Sequence, residues 1–313
     1  MKVDVEKLVS RIEEIYGCGA KEDGTHSRMA YSEEDIRARR LFAGYGRKLG
    51  MQTRMDEAGN LILRMEGKNE TLPAIQLGSH LDTVPDGGKY DGVLGCLAGL
   101  GVCEAYIAAG EKSEHPIEVI VFTDEEGFRF GKGLLGSSAI CGQAPDVYES
   151  ETDIYGAPRS QVMENYGIKC SEIGKARRDP RDVLCFIELH IEQGATLDRK
   201  HIPIGVVTSI AGVSRYNITV TGETNHAPSP MTAWVKENIQ KAVRELDYPY
   251  MELPSGAFHD SLIMSSVFPT GMIFVPSVNG VSHSRYELTR TEDIEMGCDV
   301  LLKAVRNINK ISK

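Results

Sequence analysis

Short apolar runs of β-type composition that stop on histidines or acids constrain this chain more than any other feature. The clearest case is Leu77–Leu100, L-G-S-H-L-D-T-V-P-D-G-G-K-Y-D-G-V-L-G-C-L-A-G-L. It follows an apolar run from Ala74 that reads as a buried strand, and it passes into an Ala/Leu/Gly-rich segment that reads as a helix. Between the two, His80 and Asp82 stand at i and i+2, a spacing that points both side chains to one side of an extended strand end. One can bind a metal while the other holds its ring. Asp91 follows a Gly-Gly turn just before the helix, where a carboxylate is placed to bridge two cations.

The arrangement recurs. Ile117–Thr123, I-E-V-I-V-F-T, ends in Asp124-Glu125-Glu126-Gly127, and acids so crowded raise one another's pKa unless a cation neutralises them or the turn opens to water. Cys185–Ile191 carries His190 in a further apolar strand, with Glu192-Gln193-Gly194 after it, and Gly271–Pro276 leads to Ser282-His283-Ser284. Singly, each histidine has a plain explanation as a hydrogen-bonded core or surface residue. Together, four β-like segments end in candidate ligands: His80 and Asp91, Glu125 and Glu126, His190, and His283. Strand ends on one edge of an open α/β sheet gather in space and form the usual site. Three histidines with carboxylates suit Zn or Mn, and a bridging carboxylate implies two metal ions.

The remaining pattern gives an α/β class. Helices are expected from Val3 to Tyr16, from Ser32 to about Leu49 through a Ser-x-x-Asp cap, near Ser160 to Tyr166, from Val235 to Leu246, and at the C-terminus after Thr291. Further strands are expected at Leu61–Arg64, Ile204–Ile210 and Tyr216–Gly222, and a loop at Ser255–Asp260. With 313 residues, 41% of them hydrophobic, the chain can bury a sizeable core and has room for roughly two domains. A net charge of -10 argues against nucleic acid or an anionic membrane as partner, and the basic cluster Lys175–Arg181, diluted by Asp179, reads as a solvated helix end. Seven scattered cysteines without a C-x-x-C pair look like reduced thiols. No apolar stretch reaches membrane-spanning length and the N-terminus lacks a signal-peptide core, so a cytoplasmic location is expected.

Seven stretches, in order, carry a resemblance: G-S-H-L-D-T-V with G-G-K-Y-D-G-V-L-G (78–95), T-D-E-E-G-F-R-F (123–130), E-L-H-I-E-Q-G (188–194), G-V-S-R-Y (212–216), N-H-A (225–227), P-S-G-A-x-H-D (254–260) and V-P-S-x-x-G-x-S-H (275–283). The sequence closely resembles the M20-type metal-dependent amidohydrolases, within them the branch of allantoate amidohydrolases and N-carbamoyl-L-amino-acid hydrolases. The resemblance implies a mixed central sheet with helices on both faces and hydrolysis of linear ureido or carbamoyl C–N bonds in a small carboxylated substrate. It implies that Asp91 bridges two ions, that His80 and His190 serve one or the other, and that Glu126 and His283 complete the pair. Asp82 would orient His80, and Glu125 would be the general base, facing the water because adjacent residues on a strand end point to opposite sides. Gln193, Arg215 and the backbone at Gly256 match positions near the substrate. His226 matches the lid histidine that stabilises the oxyanion, commonly from a partner subunit of a homodimer.

The chain departs from that family in its lid, the small sheet-and-helix domain that also forms the dimer. The interval from His226 to Ser255 is too short for a self-standing domain, which needs roughly 50 residues or more. The expected division is a catalytic domain in two parts, 1–204 and 235–313, around a lid remnant at 205–234. The family's lid asparagine and arginine have no counterpart after Met231, and Phe258 stands where a small residue is usual. Two other readings therefore accompany the hydrolase: a catalytically impaired metal-binding homologue and an M20-type peptidase.

Overall fold

A computed structural model describes residues 1–143, 151–211 and 229–310. One nine-stranded mixed sheet organises them. Its strands are β1 (Gln52–Met55), β2 (Leu61–Met65), β3 (Ala74–His80), β4 (Ile117–Phe122), β5 (Val183–Ile191), β6 (Ile204–Ile210), β7 (Ser229–Pro230), β8 (Tyr250–Ser255) and β9 (Thr270–Val275). They lie in the order β1-β2-β4-β3-β5-β9-β6-β7, with β8 paired to β6 off this path. The central block β4-β3-β5-β9 is parallel throughout, while β1, β2 and β7 join antiparallel, as β6 does to β9.

Parallel strands are covered on both faces and read as nearly continuous apolar runs. Every residue of β3, β4, β5 and β9 is buried accordingly. Period-two alternation sends their side chains to opposite layers. Leu61, Leu63, Val119, Val121, Ile187 and Leu189 enter the larger core. Ile62, Ile120, Phe122 and Phe186 enter the smaller one with Met264 and Phe268. The larger core lies under the helices Val5–Gly17, Val93–Ala108, Ala233–Glu245 and Thr291–Ile308. The shorter helices Leu135–Ile140 and Asp260–Met264 contact the other face.

Val93–Ala108 is apolar all round because it is buried all round. It sits so close to the sheet that a Cβ at Gly95 would lie 2.5 Å from the Leu189 carbonyl and 2.9 Å from Ser79 Cβ. The second helix begins as expected, with Ser32 Oγ accepting from Asp35 N at 3.2 Å. Asp35 does not close a capping box on Ser32, however. Its carboxylate accepts from Tyr31 N and from the buried Arg39, which also donates to the carbonyls of Gly59, Val121 and Phe122.

Three strands and three α-helices among the described residues go beyond the sequence expectation: β1, β7 and β8, and Leu135–Ile140, Thr196–Lys200 and Asp260–Met264. β1 is exposed on most positions and β8 contains Glu252 and Pro254, so neither carries an apolar signal. The loop expected at 255–260 holds through His259, and the helix Asp260–Met264 follows directly. The boundary drawn at residue 205 falls inside β6, which pairs with both β8 and β9 of the main sheet. The strand expected at 216–222 lies outside the described residues. Among the described residues no helix is long and apolar enough to cross a membrane, and no disulfide joins the seven cysteines.

Candidate metal centre and active site

The parallel block brings the C-terminal ends of β3, β4, β5 and β9 to one edge, and the register fixes how they meet. His80 on β3 pairs with Phe122 at the end of β4, two residues before Asp124, and His190 on β5 pairs with Phe274 near the end of β9. His283 follows β9, and Asp91 stands just before the helix Val93–Ala108. Gly92, at φ 65°, turns the chain there, and a Cβ on it would lie 2.6 Å from the His80 ring.

Asp91 is the meeting point. Its Oδ1 lies 3.1 Å from His190 Nε2 and 3.6 Å from His80 Nε2, and its Oδ2 lies 3.2 Å from His283 Nε2. Glu126 Oε2 is 3.8 Å from the same His283 nitrogen. Two groups therefore share one carboxylate: His80, Asp91 and His190, and Asp91, Glu126 and His283, each with ligand atoms within 4.8 Å of one another. His80, Glu125 and Glu126 form a further such group. His80, Asp91, Glu125 and His190 are buried, whereas the His283 side chain is 49% exposed and opens the site to solvent.

The ring nitrogens are assigned by their partners. His80 Nδ1 lies 3.0 Å from the Asp82 main-chain oxygen, and His190 Nδ1 lies 2.9 Å from the Ile191 oxygen. A carbonyl only accepts, so both Nδ1 atoms carry the proton and both Nε2 atoms face carboxylate oxygens. Acceptor against acceptor at such distances demands a proton or a cation between them. The donor set of imidazole nitrogens and carboxylate oxygens fits Zn or Mn.

The acids confirm how much negative charge is confined here. Burial, then the charge of Asp91, pushes Glu126 up to about 7. Burial, with Glu126 and Asp260 nearby, pushes Glu125 well above the usual carboxylate range. Burial also works against ionised Asp91, but its hydrogen bonds to His190, His283 and His80 outweigh it and hold the group well below that range. The hydrogen bond to Asp91, ahead of the charge of Glu126, raises His283 to about 9.

The remaining expected residues are distributed as follows. The Asp82 carboxylate accepts from the backbone N–H of Glu125 at 3.4 Å and of Glu126 at 3.2 Å, so it secures the acidic pair. Gln193, at φ 54°, donates its amide to Asp91 Oδ2 at 2.8 Å and lies 3.2 Å from His283 Nε2. Gly256 directly follows β8, whose Ser255 hydroxyl lies 3.0 Å from His259 Nε2, and the His259 ring packs against His190 at 4.4 Å between centroids. Arg215 and His226 lie outside the described residues.

Two contributors had no role assigned from sequence. His259 stands in the P-S-G-A-x-H-D stretch, so a signal existed. Glu287 had none beyond its position four residues after His283: buried, it accepts from the backbone N–H of Tyr90 at 2.8 Å and of Asp91 at 3.1 Å.

Known proteins place this geometry. The profile of peptidase family M20/M25/M40 matches residues 76–307. An N-carbamoyl-L-amino acid amidohydrolase of Geobacillus stearothermophilus is 31% identical, covering 96% of this chain and 97% of its own. That alignment runs over 398 positions against the 313 residues of this chain, so the relative carries residues without a counterpart here. An allantoate deiminase of Arabidopsis thaliana is 37% identical over 228 residues, 71% of this chain and 43% of its own. Among solved structures, a hydantoinase/carbamoylase family amidase from Burkholderia ambifaria has the same fold, with a TM-score of 0.85 at 24% identity over 100% of this chain and 99% of that one. With the profile spanning the strand ends that converge on Asp91, and a relative similar along nearly its whole length, the chain belongs to peptidase family M20/M25/M40.

Proposed function

We propose that the chain is a two-cation hydrolase of linear C–N bonds in small carboxylated ureido or carbamoyl compounds, such as allantoate or N-carbamoyl-L-amino acids. One observation carries the reading: the two oxygens of Asp91 face different ligand groups, Oδ1 toward His80 and His190 and Oδ2 toward His283. A ureido carbonyl is a poor electrophile, and two bound Zn or Mn ions supply the Lewis acidity that polarises it and acidifies the attacking water.

The chain's own residues do the rest. Glu125, buried beside His80 with its pKa raised, takes the water's proton and returns it to the leaving nitrogen. Asp82 fixes the backbone on which Glu125 and Glu126 stand. Gln193 holds its amide at Asp91, on the solvent side shared with His283, where a substrate enters. By their match to the family's motifs, Arg215 and the backbone at Gly256 lie near the substrate and His226 stabilises the oxyanion. The proposed location is cytoplasmic, from the scattered cysteines without a C-x-x-C pair.

The test is ammonia release from allantoate and from a panel of N-carbamoyl-L-amino acids after loading with Mn or Zn, with dipeptides as the peptidase arm. Turnover of a ureido or carbamoyl substrate supports the assignment, and turnover of dipeptides alone overturns it. A second reading, an impaired metal-binding homologue with a shortened lid at 205–234 that no longer forms the homodimer, is favoured by the excess of alignment positions over residues in this chain. Two bound ions without hydrolysis of any substrate would select it.

A further inference from the structure

The segment carrying His283 grips the loop carrying Asp91 in more places than ligation requires. Ser282 Oγ lies 3.4 Å from Asp91 Oδ2, His283 Nε2 lies 3.2 Å from it, and Glu287 Oε1 accepts from two successive backbone N–H groups, those of Tyr90 and Asp91. These contacts join residues almost two hundred positions apart. Glu287 is buried, and a buried carboxylate persists only where it is well bonded or neutralised. The loop is shaped to receive it: a Cβ at Gly88 would overlap the Glu287 carboxyl group. The second oxygen, Oε2, has no hydrogen-bond partner among the described residues, so the backbone clamp through Oε1 is the interaction that explains the side chain.

We infer that Glu287 is a positioning residue for the bridging carboxylate: by holding the Tyr90 and Asp91 amides it fixes the direction in which Asp91 presents its two oxygens. Two N–H groups bound to one oxygen restrain both position and rotation of the peptide before Asp91, which a single contact does not. Because both ligand groups share Asp91, loosening this clamp weakens both ion sites together rather than one. The inference rests on the two-cation reading above and goes beyond it by assigning the clamp to a residue that touches neither ion nor substrate.

The test compares the full-length wild type with Glu287→Ala, Glu287→Gln and Gly88→Ala, titrating each apo protein with Mn alone and with Co, whose visible absorption reports ligand geometry. Glutamine retains an acceptor oxygen for the two amides while losing the charge. Alanine at 287 is expected to weaken both ions about 10- to 100-fold and to change the Co spectrum. Glutamine is expected to restore affinity to within about threefold, and Gly88→Ala to reproduce the loss by displacing the carboxyl group with Glu287 intact. Wild-type affinity and spectrum in Glu287→Ala would overturn the role, as would a glutamine variant as defective as the alanine one. If Glu287→Ala does not fold, the Gln and Gly88→Ala proteins decide on the same criteria. A wild-type chain that binds no ion overturns the two-cation reading itself, and the clamp with it.

Discussion

His80 is held by the main chain of Asp82 and not by its carboxylate: Nδ1 lies 3.0 Å from the carbonyl oxygen and 3.8 Å from Oδ1. The carboxylate is occupied instead with the amides of Glu125 and Glu126. Asp82→Asn therefore leaves the His80 ring in place and disturbs the acidic pair. We expect kcat to fall about 10- to 100-fold while affinity for the ion proposed at His80, Asp91 and His190 changes little, as read by steady-state kinetics beside a metal titration. Equal loss of both ions would show that the carboxylate supports His80 after all.

Asp91→Asn replaces a monoanionic carboxylate with two equivalent oxygens by a neutral amide with one oxygen and one NH2 group. Metal content per chain, measured after dialysis, is expected to drop from two to at most one, and hydrolysis to fall to background. Retention of two ions would remove Asp91 from its bridging position.

Glu125→Gln preserves shape and removes the proposed base. We expect turnover to fall by about 10²- to 10⁴-fold with the full metal content kept, separating Glu125 from the ligands. A variant that loses an ion along with activity would make Glu125 a ligand instead.

A pH effect on stability is expected at a histidine outside the candidate ligand set. The His26 ring stacks on Tyr16, its Nε2 lies 3.0 Å from the Arg28 guanidinium, and burial, followed by the Arg28 charge, lowers its pKa from 6.5 to about 4. The fold thus keeps His26 neutral where the unfolded chain takes up a proton. Stability from this group is full above the unfolded value and is lost as pH falls from about 6.5 toward 4, by no more than about 3 kcal/mol. Denaturant unfolding of wild type and His26→Gln across that window checks it: the wild type is expected to lose more stability on acidification than the variant.

Much of the candidate centre was legible because its candidate ligands sit where apolar runs stop. His80, Asp91, Glu126, His190 and His283 each end or follow a continuous apolar strand run or precede an apolar helix, and the parallel block brings them together. The Asp82 carboxylate was legible as near the site but not in its partner, since the i, i+2 rule describes a strand and β3 ends at His80. Beyond that point the chain turns and the backbone carbonyl takes the ring. β1 and β8 were not legible because their stability comes from pairing with β2 and β6, not from burying a face of their own. Glu287 was not legible because a lone acid in the polar segment after His283 carries no local pattern, and its meaning lies in amides nearly two hundred residues earlier.

The sheet order has a temporal consequence. β9 lies at the inner side of β6, next to β5, yet is the last strand to be made, and His283 comes later still. A nascent chain can assemble β1 to β5 with His80, Asp91, Glu125, Glu126 and His190 already made while His283 is still unsynthesised. On the proposed two-cation reading, tight uptake of a second ion waits for the closing segment to dock, so ion occupancy would report completed folding.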